Sequence, residues 1–352
     1  MDVIDVAAPL LVSADPLLVA DVQRLCAAAG VSPDLATDSA TALRRWSAAP
    51  VVLLGADSVS ALSSVGPPRR PRVHVLGRGT PQDGLFREAL GVGAETVAGL
   101  PAAETWLVEL LTDVGDGAAT PGVTIGVIGG SGGAGATVYA AALAILASQV
   151  APTLLLDVDP LGAGLDRVLG LESTEGVRWD SLTQTTGRLS SRSLREALPR
   201  SGALSVLTWP VDRPDPLEPF AAREVLSAGR RGFAVVVVDL PRHLDPVVEE
   251  TVSRCDHVVL VAVPTVPGVA SAVRLVQRLP DGGPLRHLVT RGRGGVPPES
   301  VSRLLEVPLL AAMGDQRGLD EAIDLGAGPA RQRRGALARA ARTAVDELVG
   351  TA

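Results

Sequence analysis

The sequence predicts two α/β domains, each a largely parallel sheet with helices on both faces. Three observations carry this expectation. Short apolar runs recur along the whole chain and alternate with stretches of helical periodicity. Runs such as Ala234–Val238 and Val258–Val263 are apolar at every position, as in strands covered on both sides. The segment Gly115–Gly122 (GDGAATPG) is small and polar and reads as a linker.

With 352 residues the chain has room for two domains of ordinary size. It is 46% hydrophobic but only 2% aromatic, so its core is built from Val, Leu and Ala. No apolar run approaches the ~20 residues of a membrane span, and no basic n-region of a signal peptide stands at the start. A cytoplasmic protein is expected. The two cysteines, Cys26 and Cys255, are too few for a disulfide framework or a cysteine metal site. His74, His243, His257 and His287 show no metal-ligand spacing. A net charge of −7 argues against binding nucleic acid through overall charge. The chain also contains no lysine and no asparagine.

In the first domain, residues 1–114, strands are expected over 8–12, 51–54 and 73–76. Helices are expected over 16–29 and 103–114, the first stopped by Gly30. Asp15 follows the first strand, and the third ends at Gly55. This order resembles a response-regulator receiver domain, which is flavodoxin-like in fold. The resemblance implies an acidic pair after the first strand, a phosphorylated aspartate after the third, and a lysine after the fifth. Here Asp15 is the one acid kept of the pair, Gly55 stands at the acceptor position, and Asp57 is two residues out of register. The domain is therefore expected to be receiver-shaped without phosphoryl chemistry.

The second domain, residues 123–330, opens on VTIGVIGGSGGAGATVY (123–139), an apolar strand, a glycine loop and an Ala/Leu-rich helix. That order presents backbone N–H groups and a helix N-terminus to a phosphate. Three motifs overlap in it. Gly132, Gly133, Gly135 and Thr137 fit a P-loop of the deviant kind, Lys-Gly-Gly-x-Gly-Lys-Thr, with Ser131 and Ala136 where its two lysines belong. Gly130, Gly132 and Gly135 fit the dinucleotide fingerprint. Gly129, Ser131 and Gly133 fit the nucleophile elbow.

Further strands are expected over 153–156, 204–208, 234–238, 258–263, 287–290 and 307–311, with helices ending at 230 and covering 269–279 and 299–305. Ligands in such sheets bind at the carboxyl ends of strands. Asp157 lies 22 residues after Gly135, as a dinucleotide site wants, but Thr137, Asp159 and Asp239 are then idle. The elbow reading has Asp239 and His257 or His287 in the right order but no upstream oxyanion loop. The P-loop reading uses everything: Thr137 reaches Mg²⁺, Asp157 orients water or metal, and Asp239 after VVVV is the acid of a Walker B strand.

The segments TLLLDVDPLGAGLDRVLGL, VVVVDLPR, VVLVAVPTVPGVASAVRLV and VPLLAAMGDQRGLDEAIDLG together resemble the deviant-Walker ATPases of the MinD/ParA type. With a receiver-like domain in front, the nearest resemblance is to CpaE/TadZ-like proteins, in particular the septum-site-determining and secretion-neighbourhood groups. The resemblance implies a P-loop NTPase fold, ATP or ADP with Mg²⁺, and a homodimer. It implies nucleotide contacts from Gly130, Ser131, Gly132, Gly133, Ala134, Gly135, Ala136, Thr137, Asp157, Asp159 and Pro264, with Thr137 and Asp239 toward the metal. Partners would be cell-division or pilus and secretion proteins, at septum, pole or inner membrane face. No specific nucleic acid is implied.

The departures decide what chemistry remains. Neither Ser131 nor Ala136 can neutralise phosphate or reach across a dimer as the family lysines do. The family's adenine-reading asparagine falls near Thr290–Arg291 and is absent. Little or no ATP hydrolysis is expected. The alternatives are an active ATPase that uses arginine, with Arg242 the best placed by sequence, and a dinucleotide-binding oxidoreductase. Candidates for a catalytic role are Asp157, Asp239 and Arg242. The tail, residues 331–352, carries five arginines and an Ala-rich helix over Arg331–Val349. MinD-like proteins sit on membranes through such tails, but an apolar face of Leu337, Ala341, Val345 and Leu348, without an aromatic, reads as a packed helix.

Overall fold

The computed structural model describes residues 8–115, 122–183, 189–210, 216–280 and 282–350. The chain divides into two compact units, Met1–Ala119 and Thr120–Ala352. The expected linker lies outside the described residues, save Gly115, which closes a helix, and Gly122.

In the first unit β1 (Leu10–Val12), α1 (Pro16–Ala28), β2 (Asp34–Ala36), α2 (Ser39–Trp46), β3 (Val52–Gly55), α3 (Val59–Val65), β4 (Val73–Arg78), α4 (Asp83–Gly91), β5 (Thr96–Leu100) and α5 (Glu104–Gly115) alternate. The sheet order is β2-β1-β3-β4-β5, every pair parallel. This is the flavodoxin-like order. Successive strand residues face opposite cores: Leu10, Val12, Val52 and Leu54 pack with Trp46, while Leu11 and Leu53 pack with Leu18, Val22 and Leu107. Five elements escape the sequence reading. β2 is three residues long with two exposed, too short to show a period. α2 buries only Ala42 and Trp46 and owes its start to Asp38, whose carboxylate accepts the Thr41 N–H at 2.8 Å. α3, α4 and β5 are similarly sparse in buried apolar positions.

In the second unit β6 (Val123–Gly129), α6 (Ala136–Ala147), β7 (Thr153–Asp157), α7 (Leu165–Leu169), α8 (Ser191–Ala197), β8 (Arg200–Ser201), β9 (Leu204–Leu207), α9 (Pro219–Gly232), β10 (Val235–Leu240), α10 (Pro246–Ser253), β11 (His257–Ala262), α11 (Val266–Val276), β12 (Leu285–Arg291), α12 (Pro298–Leu305), β13 (Leu309–Met313), α13 (Leu319–Asp324) and α14 (Ala336–Leu348) follow in order. The strands lie in the order β13-β12-β11-β6-β10-β7-β9-β8. All pairs are parallel except β8 on β9. Every strand read from an apolar run is present, shifted slightly at its ends.

The helix after the glycine loop, α6, has no polar face, and Tyr139–Leu143 is buried without a break. A helix apolar all round must be covered on all sides. The sheet covers one side, and α14 covers the other with Leu337, Ala338, Ala341, Ala344, Val345 and Leu348. The Tyr139 hydroxyl donates to the Ala340 carbonyl across this contact at 3.3 Å. The apolar face of the tail helix is thus occupied within the second unit. No helix among the described residues is long and apolar enough to cross a membrane.

Because α14 is the outer cover of α6, Leu337→Ala should lower stability by about 2–4 kcal/mol, the ordinary cost of a leucine-to-alanine cavity. Urea unfolding followed by circular dichroism measures it. An unchanged midpoint would mean that the helix is not packed.

Candidate functional site

At the carboxyl end of β6 the chain turns through Gly130–Gly135 into α6. Gly133 and Gly135 adopt φ of +71° and +85°, in the left-handed region that glycine alone enters readily. The Gly130 N–H donates to Val261 O at 2.8 Å, which ties the loop to β11. The N–H groups of Gly132, Gly133, Gly135, Ala136 and Thr137 have no acceptor among the described residues. They converge where the N-terminus of α6 adds its positive dipole end, the arrangement that receives phosphate.

Two carboxylates stand beside the loop. Asp239, on β10, pairs in register with Val127 of β6 and with Asp157 of β7, so the sheet sets the two acids side by side. Both are 2% exposed. The Asp157 carboxylate accepts the Thr208 hydroxyl at 2.7 Å and the N–H groups of Leu165 and Asp159, both at 3.2 Å. Burial nevertheless pushes it up to about 6. Burial, followed by the charge of Asp157, pushes Asp239 up to about 8, against the nearby Thr137 hydroxyl, which favours its charged form. Asp159 is less buried and caps its own turn, accepting the Leu161 N–H at 3.0 Å. Pro264, after β11, accepts the Val296 N–H through its carbonyl at 3.1 Å.

A half-buried hydroxyl and a buried carboxylate of this kind form a hard-oxygen donor set suited to Mg²⁺. Mg²⁺ is held by one or two carboxylates with phosphates and water rather than by a cage. No cluster of three or more His, Cys, Asp or Glu side chains that could hold a metal occurs among the described residues. Thr137 and Asp239 are the groups that would hold the ion, and its chemistry there would be to bridge phosphate oxygens and neutralise their charge.

Two arginines reach the loop from different elements. Arg242 donates to Gly129 O at 3.0 Å, to Gly130 O at 3.4 Å and to the Ser271 hydroxyl at 2.8 Å. Its guanidinium thus braces the carbonyl side of the loop, away from the N–H donors. Arg291, at the end of β12, lays its guanidinium on Gly135, where any Cβ would collide with it. Sequence reasoning noted that position only as the place of a missing asparagine. It could not show that the strand order aims this side chain at the loop. A cavity of about 270 Å³ adjoins it, lined by Gly133, Val263, Arg291, Gly292, Arg293 and Asp315. A larger groove, about 540 Å³, lies at the opposite edge of the sheet, where Arg230 pairs with Asp256 and Arg254 with Glu250. Its charges satisfy one another, and it is remote from the loop.

The other two loop motifs fail on topology. A dinucleotide fold sets its second strand next to the first, whereas here β10 lies between β6 and β7. The acid such a site needs, Asp157, is buried and bonded. His257 pairs with Ile125 at the amino end of the sheet, and His287 lies against His257 at 3.1 Å, so neither histidine can serve Ser131.

In the first unit the switch point between β1 and β3 is closed from within. Asp57 accepts the Ser13 hydroxyl and the Ala14 N–H, both at 2.8 Å, and the Ser58 hydroxyl at 3.0 Å. A Cβ on Gly55 would collide with the Asp57 carboxylate and lie 2.7 Å from Ser13 Oγ. The two-residue offset seen in sequence is therefore cancelled in space: Asp57 folds back into the room of a residue-55 side chain. Asp15 does not join it. Asp15 caps α1, accepting the Leu17 N–H at 2.9 Å. Burial opposes the charge on Asp57, but its donors outweigh burial and hold it below the usual carboxylate range.

Residues 12–122 match the family model described as Rv3660c-like, CheY-like N-terminal domain. The Mycobacterium tuberculosis protein Rv3660c is 36% identical over 340 residues, which span 95% of this chain and 96% of that protein. The chain belongs to the Rv3660c family. Among solved structures, a ParA family ATPase from Chlorobium tepidum matches with a TM-score of 0.57 at 16% identity, over 63% of this chain and 96% of its own. The septum site-determining protein MinD from Pyrococcus horikoshii, complexed with Mg-ADP, matches with 0.56 at 21%, over 65% and 98%. The cell division ATPase MinD of Pyrococcus furiosus matches with 0.56 at 23%, over 66% and 100%. This Rv3660c-family chain therefore joins a CheY-like domain to a domain of the MinD/ParA P-loop fold.

Two outcomes test this chemistry. Acetyl phosphate with Mg²⁺ should leave no acid-labile adduct on Asp57, read by intact-mass spectrometry, because its carboxylate is spent on Ser13, Ala14 and Ser58. Asp239 holds its proton more tightly folded than unfolded, so its contribution to stability is full below about pH 4 and is lost as pH rises toward 8. Asp239→Asn should therefore gain stability over the unsubstituted protein with rising pH, on the order of a few kcal/mol at pH 8. Thermal melts from pH 5 to 8 follow it, and parallel curves would contradict the placement.

Proposed function

We propose that this chain is a nucleotide-binding spatial regulator, a scaffold for septum placement or for pilus and secretion assembly, with little or no ATP hydrolysis. The observation that carries the reading is the loop itself. Unpaired N–H groups at the head of α6 stand beside Thr137 and Asp239, with serine and alanine at the two lysine positions. The first half of that description suits ATP or ADP with Mg²⁺. The second removes the cations that would stabilise a transferring phosphoryl group, and losing one such donor costs ~10²–10³ in rate. Arg242 is not counted as their replacement in this reading, since its Nε and Nη2 donors go to Gly129, Gly130 and Ser271.

The MinD of Pyrococcus horikoshii, named for septum-site determination and holding Mg-ADP, motivates the choice of role and ligand. Likeness of fold supports the ligand class more directly than the role. A homodimer facing across the loops is part of the reading. Leu161 and Val266 stand on that carboxyl edge, 87% and 74% exposed, as apolar contacts would. Without a lysine to touch the partner's nucleotide, such a dimer gains little from ATP. The CheY-like unit would serve as a docking module for a cell-division or secretion partner.

ATP turnover should sit at background, measured by phosphate release, while mass spectrometry of ligand released from the purified protein finds ADP or ATP. Ala136→Lys should tighten nucleotide binding by at least tenfold. Turnover at the pace of an active ATPase, abolished by Asp239→Ala, would overturn the pseudo-enzyme reading.

A further inference from the structure

We propose that Arg291 is the phosphate-binding cation of this site, supplied by β12 in place of the loop's lysines. The inference rests on the nucleotide-binding reading and names the group that makes binding workable. The Arg291 side chain has no hydrogen bond or ion pair to another protein group among the described residues, yet the residue is half-buried and its guanidinium lies against Gly135. A guanidinium carries five N–H donors in a rigid fork that matches phosphate oxygens. That fork, set beside a row of loop N–H groups that have no protein acceptor among the described residues, is a donor set that the oxygens of one anion would fit.

The geometry explains why arginine, and why from this strand. β12 is two strands away from β6 across β11, a gap of about 10 Å at ordinary strand spacing. Only a long side chain spans it. Gly135 needs to be glycine for its φ of +85°, and the lack of a Cβ also leaves the room in which the guanidinium lies. Arg291 also lines the 270 Å³ cavity with Gly133, so the cation, the loop and the available space coincide. Arg242 is less suited to this part, because its Nε and Nη2 donors hold the carbonyls of Gly129 and Gly130 and the Ser271 hydroxyl.

Nucleotide affinity of the full chain, titrated with ADP–Mg²⁺ and with adenosine by calorimetry, tests the assignment. Arg291→Ala should weaken ADP about 10- to 100-fold, the range for a charge-assisted contact, and change adenosine less than threefold. Arg291→Lys should restore part of the loss, and Arg293→Ala, an exposed neighbour in the same cavity, should change ADP less than threefold. The melting temperature without ligand should not fall in Arg291→Ala, because the guanidinium holds nothing in the protein. Unchanged ADP affinity in Arg291→Ala, or equal losses of ADP and adenosine, would overturn the inference while leaving nucleotide binding intact. An unsubstituted protein that binds neither ligand would overturn the nucleotide reading, and this inference with it.

Discussion

The enclosure of α6 is the constraint on which the second unit depends. A phosphate loop is useful only if the helix behind it is fixed, and α6 offers no polar side to water. Between the sheet and α14 it is packed by valine, leucine and alanine, and half of its own twelve residues are alanine. Small side chains let the backbones approach closely and leave little rotamer freedom to lose. The N-terminus of α6, and with it the row of loop N–H groups, is thereby held at the end of β6 without help from any ligand.

That rigidity sets a boundary on the electrostatics. The same packing that fixes the loop brings Asp239 and Asp157 together in a dry place, and no lysine exists to offset them. Asp157 manages its charge with three donated hydrogen bonds, and Asp239 has chiefly the Thr137 hydroxyl. Two acids at unlike affinities for a proton leave the pair with a single negative charge at neutral pH more readily than two. In the first unit the opposite solution is found: Asp57 is saturated by donors and sits where a chemically active residue would stand. One acid is under-provided and the other over-provided, and each departs from active-site chemistry for that reason.

Much of this was legible in the sequence. The loop, Thr137, Asp239 and the buried strands announce themselves by local pattern, because strand, glycine loop and helix are contiguous there. The packed tail helix was legible from its face of Leu337, Ala341, Val345 and Leu348. What local pattern does not carry is direction across the sheet. Arg242 drew attention because it follows Asp239 closely, and in the structure it holds the carbonyls of Gly129 and Gly130, while Arg291, on the distant strand β12, lies against Gly135. Asp57 looked displaced because counting residues ignores a turn that folds back. The elements missed in the first unit, such as β2 and α2, bury too few residues to reveal a period and are held by a cap or by a neighbouring strand.

The partner that completes α6 stands far along the chain: Tyr139 and Ala340 touch across 201 residues. A contact of that separation forms late and carries a large loop-closure cost. During synthesis the glycine loop emerges long before α14 does. Without α14, one side of α6 would be bare alanine and leucine. The enclosure of α6, and with it the seat of the glycine loop, therefore depends on a segment about two hundred residues downstream.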